Sequence, residues 1–460
     1  MAKQTKPSFD YDVLIAGAGA GGAICARYCA QAGLRTALIE KHAARAFGYP
    51  FVIEIEKNVF DQCDVPRPMG DEIAYEGDGQ RVYTGAGAYA FGYHVNSVAA
   101  VKLGHTMRRL ARYATGAGVE ILWNTTVLEP LIEGRRVAGV RVKQSNGKTA
   151  SLRARMVVDA TGHAATLTRR LPAECGIDFT DRPADHVVAE NHLYKIDPAR
   201  AEEAIRQNRI EPEMVTIKVG VQGSYSTEMG LLSKRNGTAY ILTGVKEDHS
   251  PPTPWQMIES WKNRMGFCAK KITGAPGTIR IRRASLRLVC DGFATIGEAA
   301  SMVIPIHASG VGSAMLAGKA LGQHLGKIMR GSENVPGTAD LWPWAAEYQS
   351  GRGAVLAYYD AQRRVSEGLD PQTELWLLMT AGIMQPIDMI STITPTLPQM
   401  DWSTLPQRLR GIAQHPLLVA KFASTFPRLF QVYFHWRKFP PVWDESSFRE
   451  WKTRAEALLP

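Results

Sequence analysis

The sequence is poor in cysteine and has no cysteine pattern. Its 460 residues include 6 cysteines, and none of these forms a Cys-x-x-Cys pair or another metal-ligand spacing. Zinc and iron–sulfur sites require such a spacing, and small disulfide frameworks require a higher cysteine density. We therefore expect no metal site, no disulfide scaffold and a reducing, cytoplasmic location.

Several other signatures are also missing. There is no Ser-His-Asp spacing, His-Glu-x-x-His motif or Walker loop, so hydrolase and NTPase functions have no support. The polar N-terminal segment predicts no signal peptide. One uncharged run, 299–318, has the length of a membrane span, but it contains a proline, a histidine and three glycines. The formal net charge of +10 is spread along the chain and predicts a solvated surface, not a nucleic-acid site.

One glycine-rich turn near the N-terminus lies in a favourable context. Residues 11–16 (YDVLIA) predict a buried parallel strand, GAGAGG follows at 17–22, and a helical pattern runs over 23–32. A second strand over 35–39 ends at Glu40. This is a complete strand–turn–helix–strand unit, which predicts a dinucleotide-binding domain.

Each conspicuous residue of this unit has a physical role. Gly17 permits the tight turn, Gly19 lets the backbone approach a pyrophosphate, and Gly22 lets the helix pack on the strand. The amide groups at the helix N-terminus favour phosphate. Glu40 would accept hydrogen bonds from ribose hydroxyls and would repel a 2′-phosphate, so FAD or NAD is favoured over NADP.

Two later motifs favour FAD. The first is VVDATG at 157–162, and the second is GFATIGEAA at 292–300, each a short apolar strand ending in a turn of small residues. The second is followed by Pro305, by SGVG at 309–312 and by a helical pattern. No second strand–GxGxxG–helix unit is present for a nicotinamide cofactor, so NAD(P)H would bind without its own domain or a separate electron carrier would supply electrons.

In this order and spacing the motifs resemble the p-hydroxybenzoate-hydroxylase-like flavoprotein superfamily. The last of them, GFATIGEAA with the proline, SGVG and helix that follow it, resembles the geranylgeranyl reductase branch of this superfamily, which includes FixC-like quinone-linked flavoproteins. Gly318 stands where the hydroxylases usually carry Asp, which favours the reductase branch. The cysteine motif and the aromatic substrate motif usual in geranylgeranyl reductases are absent, so the substrate is not specified.

The resemblance implies an α/β fold with three parts. A Rossmann-type FAD-binding domain would comprise 1–50, 95–165 and 288–330. A mainly antiparallel β substrate domain would be inserted as 51–94 and 166–287, and a helical region would follow over 331–460.

The resemblance also implies the residues of the site. Gly310, Val311 and Gly312 would direct amide groups at the flavin N1–C2=O edge, which becomes negative on reduction. His307 would lie near the flavin ring, either as a proton donor or as a structural histidine bonded to the backbone. The full set of expected FAD-binding residues is Gly17, Gly19, Gly22, Glu40, Arg45, Asp159, Gly162, Gly297, Glu298, Gly310, Val311 and Gly312.

The leading function is FAD-dependent reduction or dehydrogenation of an apolar, isoprenoid-like substrate by hydride transfer through flavin N5. A flavin-dependent monooxygenase is the nearest alternative. A non-redox FAD-dependent cyclase or isomerase and an electron-transfer protein are alternatives from other classes.

Two charged or aromatic patterns remain outside these motifs. Arg280, Arg282, Arg283 and Arg287 predict the polar face of a strand. Between Trp402 and Trp443 the chain is basic, with no acidic residue, and has aromatic residues at helical spacing: Phe422, Phe426, Phe430 and Tyr433. This pattern predicts peripheral contact with an anionic membrane; the alternative is that the aromatics pack on the flavin domain.

Overall fold

The computed structural model describes residues 9–459, except 86, 95, 222–225, 249–251, 369, 371–373, 400 and 424–425. Of residues 375, 418, 421–423 and 426 it describes the backbone alone. The polar first eight residues therefore lie outside the described part, as do the side chains of Phe422 and Phe426.

The described strands fall into three sheets. In chain order they are β1 Tyr11–Ala16, β2 Thr36–Ile39, β3 Val52–Glu56, β4 Ile73–Tyr75, β5 Gly79–Thr84, β6 Tyr89–His94, β7 Val98–Lys102, β8 Glu120–Leu122, β9 Thr126–Glu133, β10 Arg136–Lys143, β11 Thr149–Asp159, β12 His186–Ile196, β13 Met214–Val219, β14 Ser226–Ser233, β15 Thr238–Lys246, β16 Cys268–Arg280, β17 Val289–Cys290 and β18 Phe293–Thr295.

The α-helices are few in the first half of the chain and dominate its end. They are α1 Ala20–Gln31, α2 Lys57–Gln62, α3 Leu103–Gly116, α4 Pro198–Arg206, α5 Pro254–Met265, α6 Val311–Met329, α7 Thr338–Tyr348, α8 Ala354–Glu367, α9 Glu374–Thr380, α10 Pro386–Ile393, α11 Leu405–Gln414, α12 Pro416–Ala423, α13 Phe426–Arg437 and α14 Glu445–Leu458. Within the described ranges, no helix has both the length and the apolar character needed to cross a membrane.

The first sheet has a parallel centre. Its order is β17-β18-β11-β1-β2-β8, and β1 pairs in parallel with both β11 and β2. Its central strands are buried because helices cover the sheet, which is why β1 reads as an apolar run. Strands β9 and β10 extend from β11 as an antiparallel excursion. This sheet, the other two sheets and the helical C-terminal region confirm the expected α/β flavoprotein fold; the domain boundaries stay a prediction.

Glycines allow α1 and α6 to pack directly against each other at short range. A Cβ placed on Gly318 would lie 2.3 Å from the carbonyl oxygen of Gly21, and one on Gly322 would lie 2.7 Å from that of Cys25. Neither backbone can retreat without distorting its helix, so a larger side chain would push the helices apart. Gly318 is thus required by packing, and an aspartate in its place would not fit.

The other two sheets form the second layer. The seven-stranded sheet has the order β16-β12-β15-β14-β13-β5-β6 and is antiparallel except for the parallel β13–β5 pair. The three-stranded sheet β3-β7-β4 lies against it, with Val52 and Tyr75 packed on Leu193 and Tyr240 of the larger sheet.

Most aromatic residues of the C-terminal region belong to the core. Trp342 stacks on Phe439 with ring centroids 5.2 Å apart, and Trp436 meets Trp451 edge-on at 5.3 Å. The buried side of α13 carries Leu429, Val432 and Trp436, whereas Phe430 and Phe434 are exposed. Much of this region therefore packs in the core, as the alternative interpretation predicted. Some of its apolar side chains remain exposed to solvent.

The four arginines at 280–287 do not form the polar face of a strand, so that interpretation is wrong. β16 ends at Arg280, and the arginines that follow are buried. The guanidinium of Arg282 donates to the carbonyl of Thr180 at 3.0 Å, and burial lowers its pKa to about 10. That of Arg283 pairs with Asp178. Partners distant in sequence make this burial possible, and the local pattern gave no sign of them.

Candidate functional site

The glycine-rich turn admits only glycine at two of its positions. Gly17 has φ +101°, and a Cβ there would lie 2.3 Å from the carbonyl oxygen of Ala160. A Cβ on Gly22 would lie 2.1 Å from the carbonyl oxygen of Gly17. Next to Gly19, which directly precedes α1, a Cβ would meet nothing within 4 Å. An open approach to helix amides is the environment that a pyrophosphate needs, so the turn fits FAD.

Glu40 ties the end of β2 to this turn. Its Oε2 accepts a hydrogen bond from the Ala18 amide at 3.2 Å, and its Oε1 accepts one from the His42 amide at 2.9 Å. The Nδ1 of His42 lies 2.6 Å from the same Oε1. The carboxylate is therefore fixed beside the glycine turn, where the ribose of a dinucleotide is expected.

Asp159 organises the turn that follows β11. Its buried carboxylate accepts hydrogen bonds from the amides of Thr161, Leu167 and Thr168 and from the hydroxyls of both threonines. Five donors use the acceptor capacity of the carboxylate. Asp159 thus shapes the turn, and Gly162, with φ +67°, presents backbone without a side chain.

Glu298, in the GFATIGEAA motif, lies beside the residue that follows the VVDATG motif. Its Oε1 accepts a hydrogen bond from the Arg280 amide at 3.1 Å and lies 3.1 Å from Nδ1 of His163. The buried guanidinium of Arg280 donates to the carbonyls of Glu298 and His163, each at 3.0 Å. The neighbouring Gly297 has φ +65° and lies against Ala314 of α6. Arg280 and His163 were not among the predicted site residues.

The loop before α6 has a strained backbone. Ser301 and Ala308 both have left-handed conformations, with φ of 56° and 60°. Ile304 and Ser309 close the loop by an isolated bridge, and Gly310 directly precedes the first turn of α6, which begins with Val311 and Gly312. First-turn amides have no acceptor within their own helix, so they are available to an anionic ligand edge.

His307 and Arg45 have different surroundings in the structure. His307 lies in that loop, and its Nε2 is 2.6 Å from the carbonyl oxygen of Thr392 in α10. Desolvation lowers the pKa of His307, although its side chain remains accessible to solvent in this loop. Arg45 is exposed in the short turn Ala44–Ala46. The assigned roles of both stay predictions.

A carboxyl group that the motifs did not identify lies between the two smaller sheets. Oε1 of Glu54 accepts a hydrogen bond from the hydroxyl of Tyr75 at 2.9 Å, and the ring of Tyr75 lies 4.9 Å from that of Tyr240. Burial raises the pKa of Glu54. The signal in the sequence was an acidic residue at the centre of the strand Val52–Glu56, between two isoleucines.

Similarity to known proteins agrees with this geometry. Residues 12–176 match the family of FAD dependent oxidoreductases. The chain is 24% identical over 375 residues to a digeranylgeranylglycerophospholipid reductase of Sulfolobus acidocaldarius, covering 78% of each chain. It is 26% identical over 357 residues to the reductase of the same name from Methanoculleus marisnigri, covering 75% of this chain and 84% of that one.

Solved structures share the fold. A geranylgeranyl bacteriochlorophyll reductase-like protein from Thermoplasma acidophilum has a TM-score of 0.69 at 18% identity, over 90% of this chain and 99% of that one. A flavin-dependent brominase has a TM-score of 0.58 at 18% identity, over 88% and 99% of the respective chains. The chain is thus similar to the FAD-dependent oxidoreductases and, among them, to the geranylgeranyl reductases, and this similarity supports FAD binding.

Proposed function

We propose that this oxidoreductase reduces a carbon–carbon double bond in an apolar, isoprenoid-like substrate. Bound and reduced, FAD supplies a hydride equivalent through N5 to one carbon of such a bond. The chain must then hold the substrate, exclude water and deliver a proton to the other carbon.

An apolar surface that begins at the proposed flavin site carries this proposal. Val311, at the start of α6, packs in a cluster with Phe51 and Leu242. Leu242 also packs in the cluster between the seven-stranded and three-stranded sheets, beside Ile217 and Met229. All of these side chains except the buried Phe51 are partly accessible, so they form a wall suited to a long hydrocarbon.

A second apolar wall comes from the C-terminal region. Ile390 and Ile393 of α10 pack against Val82 and Tyr93 of the seven-stranded sheet. The hydrogen bond between His307 and Thr392 attaches the loop before α6 to the same helix. A helix that closes over a sheet beside the cofactor would keep water from the reacting carbons.

Glu54 is the proton donor that we assign. Its raised pKa favours the protonated carboxyl group, and Tyr75 fixes one of its oxygens. The lowered pKa of His307 makes its imidazole neutral at physiological pH, and the carbonyl of Thr392 requires a proton on its Nε2. His307 is thereby better suited to orient the loop than to protonate a carbon.

Anaerobic turnover tests the proposal. The flavin of the holoenzyme would be reduced with NADH, NADPH or dithionite and then mixed with geranylgeranyl diphosphate or a digeranylgeranylglycerol phospholipid. We expect the flavin to reoxidise and mass spectrometry to find a product with two additional hydrogen atoms per reduced bond. Bleaching by NADH or NADPH would identify the electron donor, and bleaching by dithionite alone would favour a separate carrier.

The rival functions give other results. A monooxygenase would consume O₂ and yield an oxygenated product, and a cyclase or isomerase would yield a product of unchanged mass without net flavin oxidation. Either outcome with these substrates would overturn the proposed reduction.

Such a substrate also gives the exposed apolar residues of the C-terminal region a role. Leu417 and Phe434 are 86% and 57% exposed, and Trp402 and Leu409 are exposed nearby in sequence. The chain between Trp402 and Trp443 has six basic residues and no acidic one. Apolar and basic side chains together favour peripheral contact with an anionic membrane, from which a lipid would be taken up.

A further inference from the structure

A largely buried ion pair lies against the first turn of α6. Oε1 of Glu56 is 3.0 Å from Nη2 of Arg352, and the two side chains are 5% and 19% exposed. The Nε of Arg352 donates to the hydroxyl of Ser313 at 2.8 Å. A Cβ on Gly312 would lie 2.3 Å from Oε2 of Glu56, so the carboxylate directly contacts this glycine.

The arginine reaches this position from the C-terminal region. It lies in a π-helical turn, Gln349–Gly353, in which Gly351 has the non-helical angles φ −95° and ψ −105°. Gln349 is the first residue of this turn. Its side-chain amide donates to the carbonyls of Ser285 and Leu286 and so anchors the turn to that segment. Such bulges in helices occur frequently at functional sites.

Charges at this point would act on the flavin. Two-electron reduction makes the flavin N1–C2=O edge negative, so a nearby positive charge stabilises the reduced form and a nearby negative charge disfavours it. Burial strengthens both effects, because the low local dielectric screens them poorly. The helix dipole at the start of α6 adds a fixed positive contribution.

We propose that Glu56 and Arg352 together set the reduction potential of the bound FAD. The inference rests on the proposed position of the flavin edge at Gly310–Gly312. Arg352 raises the potential and Glu56 lowers it, so the pair holds the potential near an intermediate value. Both residues act on the flavin through their charge, and we assign neither of them a contact with the substrate.

The test is the midpoint potential of the holoenzyme, measured by equilibration with redox dyes during slow anaerobic reduction. Glu56→Gln should shift the reduced-to-oxidised ratio at least tenfold towards reduced flavin, which is about +30 mV for a two-electron couple. Arg352→Gln should shift it by a similar factor in the opposite direction. The double variant should return close to the wild-type potential, and Arg352→Lys, which keeps the charge, should stay near it.

A second largely buried ion pair provides the control. Glu72 and Arg109 lie 2.8 Å apart with similarly low exposure, and Glu72→Gln and Arg109→Gln should leave the potential unchanged. If both single variants at Glu56 and Arg352 bind FAD and neither shifts the potential, or both shift it in one direction, the pair is only a structural brace and the inference is overturned.

Failure of this inference is distinguishable from failure of the proposed function. Opposite shifts without any alkene reduction would refute the proposed substrate and support the charge pair. Alkene reduction with unmoved potentials would refute the charge pair alone.

Discussion

The imidazole of His307 and the carbonyl of Thr392 join the loop before α6 to helix α10 through a 2.6 Å hydrogen bond. Removing the ring in His307→Ala should destabilise the protein by about 1 kcal/mol, the usual net value of one hydrogen bond. FAD should remain bound, and turnover should fall sharply because the loop loses its attachment. Thermal unfolding, flavin absorbance and single-turnover rates measure the three effects.

His307→Gln serves as the matched variant, because a glutamine amide can donate to the same carbonyl. Recovery of stability together with turnover would assign His307 an orienting role. Recovery of stability without turnover would assign it a part in the chemistry instead.

Gly19→Val should abolish FAD binding and leave the apoprotein folded. The Cβ would enter open space beside the turn, with no protein atom within 4 Å, so the branched side chain should block the approach of a pyrophosphate. The flavin content of the purified variant measures FAD binding, and its circular dichroism shows whether the apoprotein is folded. Gly116→Ala, another site with open space around the added Cβ, is the neutral control. A yellow Gly19→Val protein would contradict the site.

Glu40→Ala should weaken FAD binding by about 1–3 kcal/mol, the cost of leaving polar partners unpaired. The loss also frees the amides of Ala18 and His42, both of which donate to this carboxylate. Titration of the apoprotein with FAD measures the dissociation constant, and an unchanged value would show that the ribose lies elsewhere. Glu129→Ala, at a partly exposed position of β9 where the carboxylate pairs with Arg141, controls for the loss of a carboxylate.

Glu54 should make the protein's stability depend on pH in a defined direction. Its folded-state pKa is raised above the ordinary value of 4.5 because burial disfavours the carboxylate. The protonated form therefore contributes stability that is present below pH 4.5 and is lost as the pH rises through the folded-state pKa. Relative to Glu54→Gln, the free energy of unfolding of the wild type should therefore fall as the pH rises above the ordinary carboxyl pKa of 4.5. A difference that rises with pH would refute the assignment.

Anionic liposomes should bind the protein reversibly, and salt should weaken the binding. Replacing Leu417 and Phe434 with serine should reduce co-sedimentation because both side chains are exposed apolar groups. Lys438→Glu should reduce it through charge; this residue is preferable to Arg437, whose guanidinium also donates to the carbonyl of Ser350. Met69→Ser, at an equally exposed site on another part of the surface, should have no effect. Equal sedimentation with neutral vesicles would leave these residues as ordinary surface.

Sequence predicted the parts of the fold that depend on neighbours in the chain. The turn at Gly17–Gly22 and the acid at Glu40 belong to one short unit whose spacing is fixed by a strand, a turn and a helix. The contact between Glu56 and Arg352 joins residues 296 positions apart, and no local pattern specifies it. The buried arginines after β16 were misread for the same reason, because their acidic partners lie on other segments.

The strand order of the first sheet has a consequence for synthesis of the protein. Strand β18 pairs with β11 in parallel, and α6 covers α1, yet both follow the entire seven-stranded sheet in the chain. A ribosome that has made the first 288 residues has therefore released β1, β2 and α1 with part of their apolar surface still uncovered. The nucleotide-binding half of the molecule begins first and is completed late, so a newly made chain must be protected from aggregation until α6 emerges.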